Sequence, residues 1–467
     1  MRRRFTNLRI PAGGSETRPA TILAVDGRIQ EITSPAAEPA EEDVESLDLG
    51  GRLVLPGAID GHVHFDDPGF THRETFETGS RAAAAGGVTC VVDMPCTSLP
   101  PVTSLHNLQA KLAVIEAKAH VDYMLWGGLS HNALASPEWR RDLAEIVAAG
   151  VAAIKVYMLS GMDSFRDLSR PQLRDAVEEV ARHGVPVGVH AEDREMVREL
   201  TGRLRAEGRD EPADYAASRP AAAEIAAVET MREICRETGA RVHIVHVASG
   251  GALDIVSAAR DEGLPMSAET CPHFLQFTLS DFREQGALLK TAPVVKDPAD
   301  RERLWKGLAS GELLFVATDH AAGQWPEEKR TGSIWTDYGG VPGVELSLPY
   351  LLSEGVGRGR ITLERLTEVT ASEPARFFGL EHRKGRLAPG LDADLAVLEP
   401  DERWTVRAEG LHNLNRYTPL EGYELKGRIC QTYVRAEPVY SRSSDGSERF
   451  GKPGFGGRIE RESRTTS

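Results

Sequence analysis

Two histidines, His62 and His64, stand one residue apart in GAIDGHVHFDDPG, at the end of an apolar run and just ahead of an acidic pair and a Pro-Gly turn. Alternate side chains of a strand share a face, so both imidazoles point the same way, as a metal site requires. Taken alone, the pair is equally compatible with two half-buried surface histidines. Three further segments alter that balance: VPVGVHAED carries His190, IVHVASG carries His246 and LLFVATDHAA carries Asp319, each where an apolar strand-like run ends. Core histidines have no reason to recur at one structural position. Lys155 lies inside another such run, VAAIKVYM. A buried ammonium is costly unless paired or neutralised. Either it snorkels to the strand end, or carbon dioxide carbamylates it to a carboxylate-like group able to bridge two cations. Four histidines, one such carbamate and one aspartate are enough for a binuclear metal centre.

Those six positions need a frame that gathers the ends of separate strands. Between Gly57 and Leu380 eight apolar runs, around IDGHVHF, VTCVVDMP, DYMLWGG, AAIKVYM, VPVGVHAE, VHIVHVAS, PMSAETCPHF and LLFVATDH, alternate with helix-like stretches such as SRPQLRDAVEEVARHG. This is the pattern of an α/β fold, a (β/α)8 TIM barrel over residues 57–380, whose strand ends converge on one mouth. Residues 1–56 and 381–440 read as short alternating strands broken by Gly, Pro and the stretch SPAAEPAEED. Together they are expected to form a small β-sandwich domain built from both chain ends. Residues 441–467, rich in Gly, Ser and charge, read as a mobile tail or an arm resting on a neighbouring subunit.

Composition narrows the partners. With 467 residues, 41% hydrophobic and 27% charged, the chain has the make-up of a globular protein with a large core. A formal charge of -15 argues against nucleic acid and anionic membranes and in favour of small molecules. Five cysteines without CxxC spacing suggest reduced thiols in a cytoplasm. No run reaches the roughly 18 apolar residues of a membrane span, and MRRRFTNLRIPAGG lacks the apolar core of a signal peptide.

DGHVHF, the lysine of IKVYM, VHAED, IVHVAS and ATDHA, in that order and spacing, resemble the binuclear amidohydrolase superfamily. PGFTHRETFETGSRAAAAGGVTCVVDMP, ETCPHFLQFT, KTAPVVKDPADRERLWKGLASGE and KGRLAPGLDADLAVLEPDERWTV narrow the resemblance to the cyclic amidohydrolases, the group of dihydroorotases, allantoinases and hydantoinases. The resemblance implies two divalent metal ions, zinc by default, with His62 and His64 on one and His190 and His246 on the other. It implies N6-carboxylated Lys155 as the bridge, and Asp319 as both a ligand and the general base for attack by metal-bridging hydroxide on a ring carbonyl. It also implies a homotetramer.

The choice of ring rests on departures from the family pattern. Dihydroorotases show HxHxR, whose arginine grips the substrate carboxylate, and an asparagine in MPNT; here Asp66 and Cys96 stand at those places. Asp66 is either a turn cap or part of the substrate wall, and a fixed anion there repels a substrate carboxylate. Hydantoinases carry a tyrosine five residues after the lysine, where this chain has Ser160, with Tyr157 closer in. HFDDPG and CPHF, the latter containing His273, resemble allantoinase segments. The expectation is an allantoinase-like hydrolase of a cyclic ureide or imide, with dihydroorotase, hydantoinase or dihydropyrimidinase activity as alternatives. A linear-amide hydrolase and a metal-free scaffold relative are the more distant ones. The backbone around Gly340, in the family's ring-contacting loop, is expected to meet the substrate. Arg73 and Lys296 are the cations to watch, His320 is expected to support Asp319 from behind, and His243 to point away from the barrel interior.

Overall fold

The computed structural model describes residues 1–35 and 43–461, so most of SPAAEPAEED lies outside the described residues. All eight runs expected to be strands are strands: Ala58–Val63, Val88–Asp93, Asp122–Leu125 continued by Gly127–Gly128, Ile154–Tyr157, Val187–His190, Val242–Ile244, Met266–Thr270 and Phe315–Val316. Each pairs in parallel with the next. The ring closes where Val63 bridges His320 and the His64 amide donates to the His320 carbonyl at 2.8 Å. The fold is a (β/α)8 barrel.

Local chemistry sets the elements. In SRPQLRDAVEEVARHG, Ser169 caps the helix Arg170–Arg182 by accepting from the Gln172 amide, and Leu173, Ala176, Val177 and Val180 form its buried stripe. The strands are buried on both faces, which is why they read as continuous apolar runs. Gly188 is required in the fifth strand, because a Cβ there would lie 2.6 Å from the Trp126 ring. That ring fills the barrel interior and donates from Nε1 to the Gly61 carbonyl at 3.0 Å.

The two chain ends share one eight-stranded sheet. Glu45–Pro56 lies at its middle, parallel to Arg2–Pro11 on one side and antiparallel to Leu395–Thr405 on the other. Phe5 meets Tyr433 edge to face at 5.0 Å in its core. The expectation of a mobile tail from residue 441 is overturned for its described part. Glu437–Arg442 and Glu448–Phe450 are strands of this sheet. Residues 456–459 run beside the third barrel strand, with the Tyr123 amide donating to Gly457 at 3.0 Å and the Ile459 amide to Tyr123 at 2.8 Å. The glycines that suggested mobility serve close approach instead, since a Cβ on Gly456 would sit 1.9 Å from the Val121 carbonyl. Residues 462–467 lie outside the described residues. No helix among the described residues is long and apolar enough to cross a membrane.

A buried ionic knot joins barrel, sheet and tail. Lys384 Nζ lies 2.8 Å from Asp122, 3.5 Å from Asp392 and in contact with Asp394, while Asp122 also receives Arg435 and the Gly457 amide. The three carboxylates cluster as a cation site would, but the cation is this ammonium. Removing one partner of such a knot leaves buried charge uncompensated. Lys384→Met is expected to lower stability by about 3–5 kcal/mol, read as a lower denaturant midpoint.

Candidate metal centre

The strand ends bring five side chains face to face around a sixth. His62 is fully buried, its Nε2 lies 3.1 Å from Asp319 Oδ1, and His64 Nε2 stands at the same 3.1 Å from that oxygen. Across the mouth His190 Nδ1 is 3.1 Å from His246 Nε2. The His62 and His246 rings are 5.4 Å apart, and His62, His246 and Asp319 each offer a ligand atom within 4.8 Å of the others. Lys155, paired with Gly188 two residues before His190 and interacting electrostatically with Asp319, His190 and His246, is wholly buried, and among the described residues its Nζ has no hydrogen-bond partner. Burial lowers its pKa to about 8. At Asp319 burial works against ionisation, but His62 and His64 outweigh it and hold the carboxyl well below its ordinary range.

The geometry has a cost in the backbone. His246 has φ 42° and Asp319 φ 49°, left-handed conformations that non-glycine residues rarely adopt. The turn at His246 also explains a departure from expectation. Strand alternation would send His243 away from the interior, but the strand ends at Ile244, before the twisted His246. His243 instead faces inward, with Nε2 3.1 Å from Glu269 Oε2.

Glu269 is the residue that sequence reasoning missed. Its other oxygen lies 2.6 Å from His62 Nδ1, so one carboxylate fixes the tautomer of His62, whose free Nε2 faces the site. Burial pushes its pKa up, but His62 and His243 together pull it down to about 2. A glutamate inside the apolar run PMSAETC was the available signal, of the same kind that drew attention to Lys155. Glu192 does for His190 what Glu269 does for His62, lying 2.9 Å from Nε2 and being clamped by Arg219. Asp60 accepts from the His62 and Thr318 amides and from the Thr318 hydroxyl, tying the first strand to the eighth.

Residues 53–439 match the amidohydrolase family. The chain is 38% identical over 424 residues to an allantoinase of Deinococcus radiodurans, covering 91% of this chain and 92% of that one. The chain belongs to the amidohydrolase family. An allantoinase of Rubrobacter xylanophilus is likewise 38% identical over 430 residues, 92% of both chains. Among solved structures, the L-hydantoinase (dihydropyrimidinase) of Arthrobacter aurescens superposes with a TM-score of 0.92 at 31% identity, covering 98% of this chain and 99% of that one. A dihydropyrimidinase of Brevibacillus agri gives 0.90 at 28% identity over 99% of both. As an amidohydrolase the chain is an enzyme of C–N bond hydrolysis.

The remaining expected residues of this amidohydrolase divide into two groups. Cys96 is at the site, its Sγ 3.8 Å from His64 Nδ1 and 3.2 Å from the Tyr157 hydroxyl. Asp66, two residues after His64, is fully buried at φ 49°, and among the described residues neither carboxyl oxygen has a hydrogen-bond partner. His273 is buried with Nε2 unpartnered, and burial pushes its pKa down to about 4. Ser160 does not reach the site: its hydroxyl donates to Phe165 at 2.7 Å and accepts from the Met162 amide at 3.1 Å, closing its own loop. Gly340 is also spent, its amide donating to Lys290 and its carbonyl accepting from Lys329. Arg73 is held by both oxygens of Glu328 and lies over the Tyr338 ring, and Lys296 donates to the Arg219 carbonyl, so both flagged cations are committed within the protein. His320 lies 3.2 Å from Glu74 and accepts from the Gly343 amide behind Asp319.

An unpartnered buried ammonium lowers stability by about 1–3 kcal/mol, more if it stays charged. Lys155→Met, similar in volume and apolar, is therefore expected to melt a few degrees above the parent when both are stripped with chelator in bicarbonate-free buffer. Equal or lower melting would mean that Lys155 has a partner.

Proposed function

We propose that this amidohydrolase opens the ring of a neutral cyclic ureide, with allantoin as its substrate and allantoate as product, using two divalent cations, zinc by preference. The observation that carries the reading is Lys155 Nζ, buried and without a hydrogen-bond partner among the described residues, at the mouth that also holds His62, His64, His190, His246 and Asp319. In this reading His62, His64 and Asp319 would hold one cation, His190 and His246 would hold the other, and Lys155, carboxylated to a carbamate, would be a ligand to them. Imidazole nitrogens and carboxylate oxygens are the donors that suit such ions. Bound there, the cations supply Lewis acidity and a nucleophilic water at neutral pH. Asp319, kept ionised by the two histidines and with its side chain 16% exposed, takes the proton of the attacking water on a carboxylate oxygen and passes it to the departing ring nitrogen. Glu269 and Glu192 keep His62 and His190 oriented through that cycle.

The ring is argued from what surrounds it. A substrate carboxylate needs a free cation, and the one guanidinium near Asp66 is engaged with Glu328, while position 66 itself is a carboxyl. This disfavours dihydroorotate. The allantoinase relatives support allantoin, and the L-hydantoinase and dihydropyrimidinase neighbours make a hydantoin or dihydropyrimidine ring the second reading. A scaffold without catalysis would have lost ligand positions, and all six are filled. The same reading puts the enzyme in the cytoplasm as a homotetramer, the buried free thiols fitting a reducing compartment, with residues 57–380 as its catalytic unit.

Protein prepared with zinc and bicarbonate is expected to carry two metals per chain by elemental analysis and to open allantoin in preference to dihydroorotate, dihydrouracil and hydantoin, with Lys155→Ala losing both metal and turnover. Preference for dihydroorotate, or full turnover in Lys155→Ala, would overturn the reading. Glu269→Gln is expected to weaken metal retention against a competing chelator by about 10–100-fold while leaving the fold intact.

A further inference from the structure

Ring opening builds negative charge on the carbonyl oxygen, and a hydrogen-bond donor fixed at that point lowers the barrier. Ser160, five residues after Lys155, has a hydroxyl that donates to the Phe165 carbonyl and accepts from the Met162 amide within its own loop. Another hydroxyl is better placed. Tyr157 follows Lys155 by two residues in the fourth barrel strand, so the two side chains share a face. Its ring stacks on His190 at 5.1 Å and 21°, with Lys155 Nζ 4.9 Å from its centroid and Phe165 edge-on at 5.7 Å. Packing on three sides fixes its direction. The phenol thus reaches from His190, at the fifth strand, toward Cys96 and His64, at the second and first.

Among the described residues the Tyr157 hydroxyl has one partner, Cys96 Sγ at 3.2 Å. Either atom of this contact can donate, and a thiol is both a weak donor and a weak acceptor. A carbonyl oxygen gaining negative charge competes with it easily, so this O–H can be redirected at small cost, whereas Ser160 would have to break its loop. Position 96 is cysteine where dihydroorotases carry asparagine, and position 160 is serine where hydantoinases carry tyrosine.

We propose that Tyr157 is a catalytic residue whose hydroxyl donates to the carbonyl oxygen of the ring under attack, and that Cys96 holds this hydroxyl in place in the free enzyme. The inference rests on the ring-opening reading above. No covalent bond to the protein forms; the phenol keeps its proton throughout and shares it with the oxygen.

Tyr157→Phe retains the stack on His190 and removes only the hydroxyl. In the metal-loaded full-length enzyme, with allantoin and the other rings of the panel, kcat is expected to fall about 100-fold while KM stays within about threefold, as for the loss of one such donor. Metal content is expected to match the parent. Ser160→Ala is expected to keep kcat within about threefold, and Cys96→Ala to lose less than Tyr157→Phe. The proposal is overturned if Tyr157→Phe keeps its kcat, if its loss appears in KM or in metal content instead, or if Ser160→Ala shows the larger loss. A parent enzyme that carries its metals and opens no ring would overturn both this inference and the reading beneath it; an active parent leaves this one alone at stake.

Discussion

A positive charge buried in the middle of a barrel must be neutralised, and the site is organised around that requirement. Lys155 is buried with no hydrogen-bond partner among the described residues, and the same mouth gathers groups that bind cations together: His62, His64, His190, His246 and Asp319. An amine in that position is tolerable if it stops being an ammonium. Carboxylation would do this, replacing an uncompensated positive charge with a negative one that the surrounding donors can share through bound cations. The same constraint gives Glu269 and Glu192 their places, each taking one nitrogen of a histidine so that the other is left for the site.

The scaffold bears the cost of holding these groups apart and aimed. Three of the non-glycine residues in left-handed conformation, Asp66, His246 and Asp319, stand at the mouth. The residues before Asp319 and Asp66 are held by carboxylates that accept from backbone: Asp60 from the Thr318 and His62 amides, and Asp93 from the Phe65 amide, with Lys111 paired to Asp93 at 2.5 Å. Far from the mouth, the knot of Lys384 with Asp122, Asp392 and Asp394 fastens the terminal sheet and the returning chain to the barrel. Function and stability therefore draw on different ends of the same strands, as barrels of this kind allow.

The six candidate ligands were legible in the sequence because polar residues at the ends of apolar runs are conspicuous, and the barrel follows from the alternation that carries them. Glu269 was harder to see, since a carboxylate one residue before the end of a short strand can be read as an edge residue until His62 and His243 are known to face it. His243 was misread because the alternation rule assumes a regular strand, and the backbone turns at His246. Ser160 and Gly340 both sit in loops, where sequence spacing does not say which hydrogen bonds the chain keeps for itself. The tail was misjudged because Gly-rich composition indicates either freedom or tight packing, and only the contact of Gly456 with Val121 distinguishes the two.

The central claim is that Lys155 is a carbamate joining two cations. It is tested most directly by carbon-13 NMR of enzyme loaded with zinc in labelled bicarbonate. The account predicts one carbamate resonance per chain, abolished in Lys155→Ala and lost when chelator removes the metals. A metal-loaded, ring-opening enzyme with no such resonance would contradict it, leaving Lys155 as an ordinary amine and the site in need of another bridge.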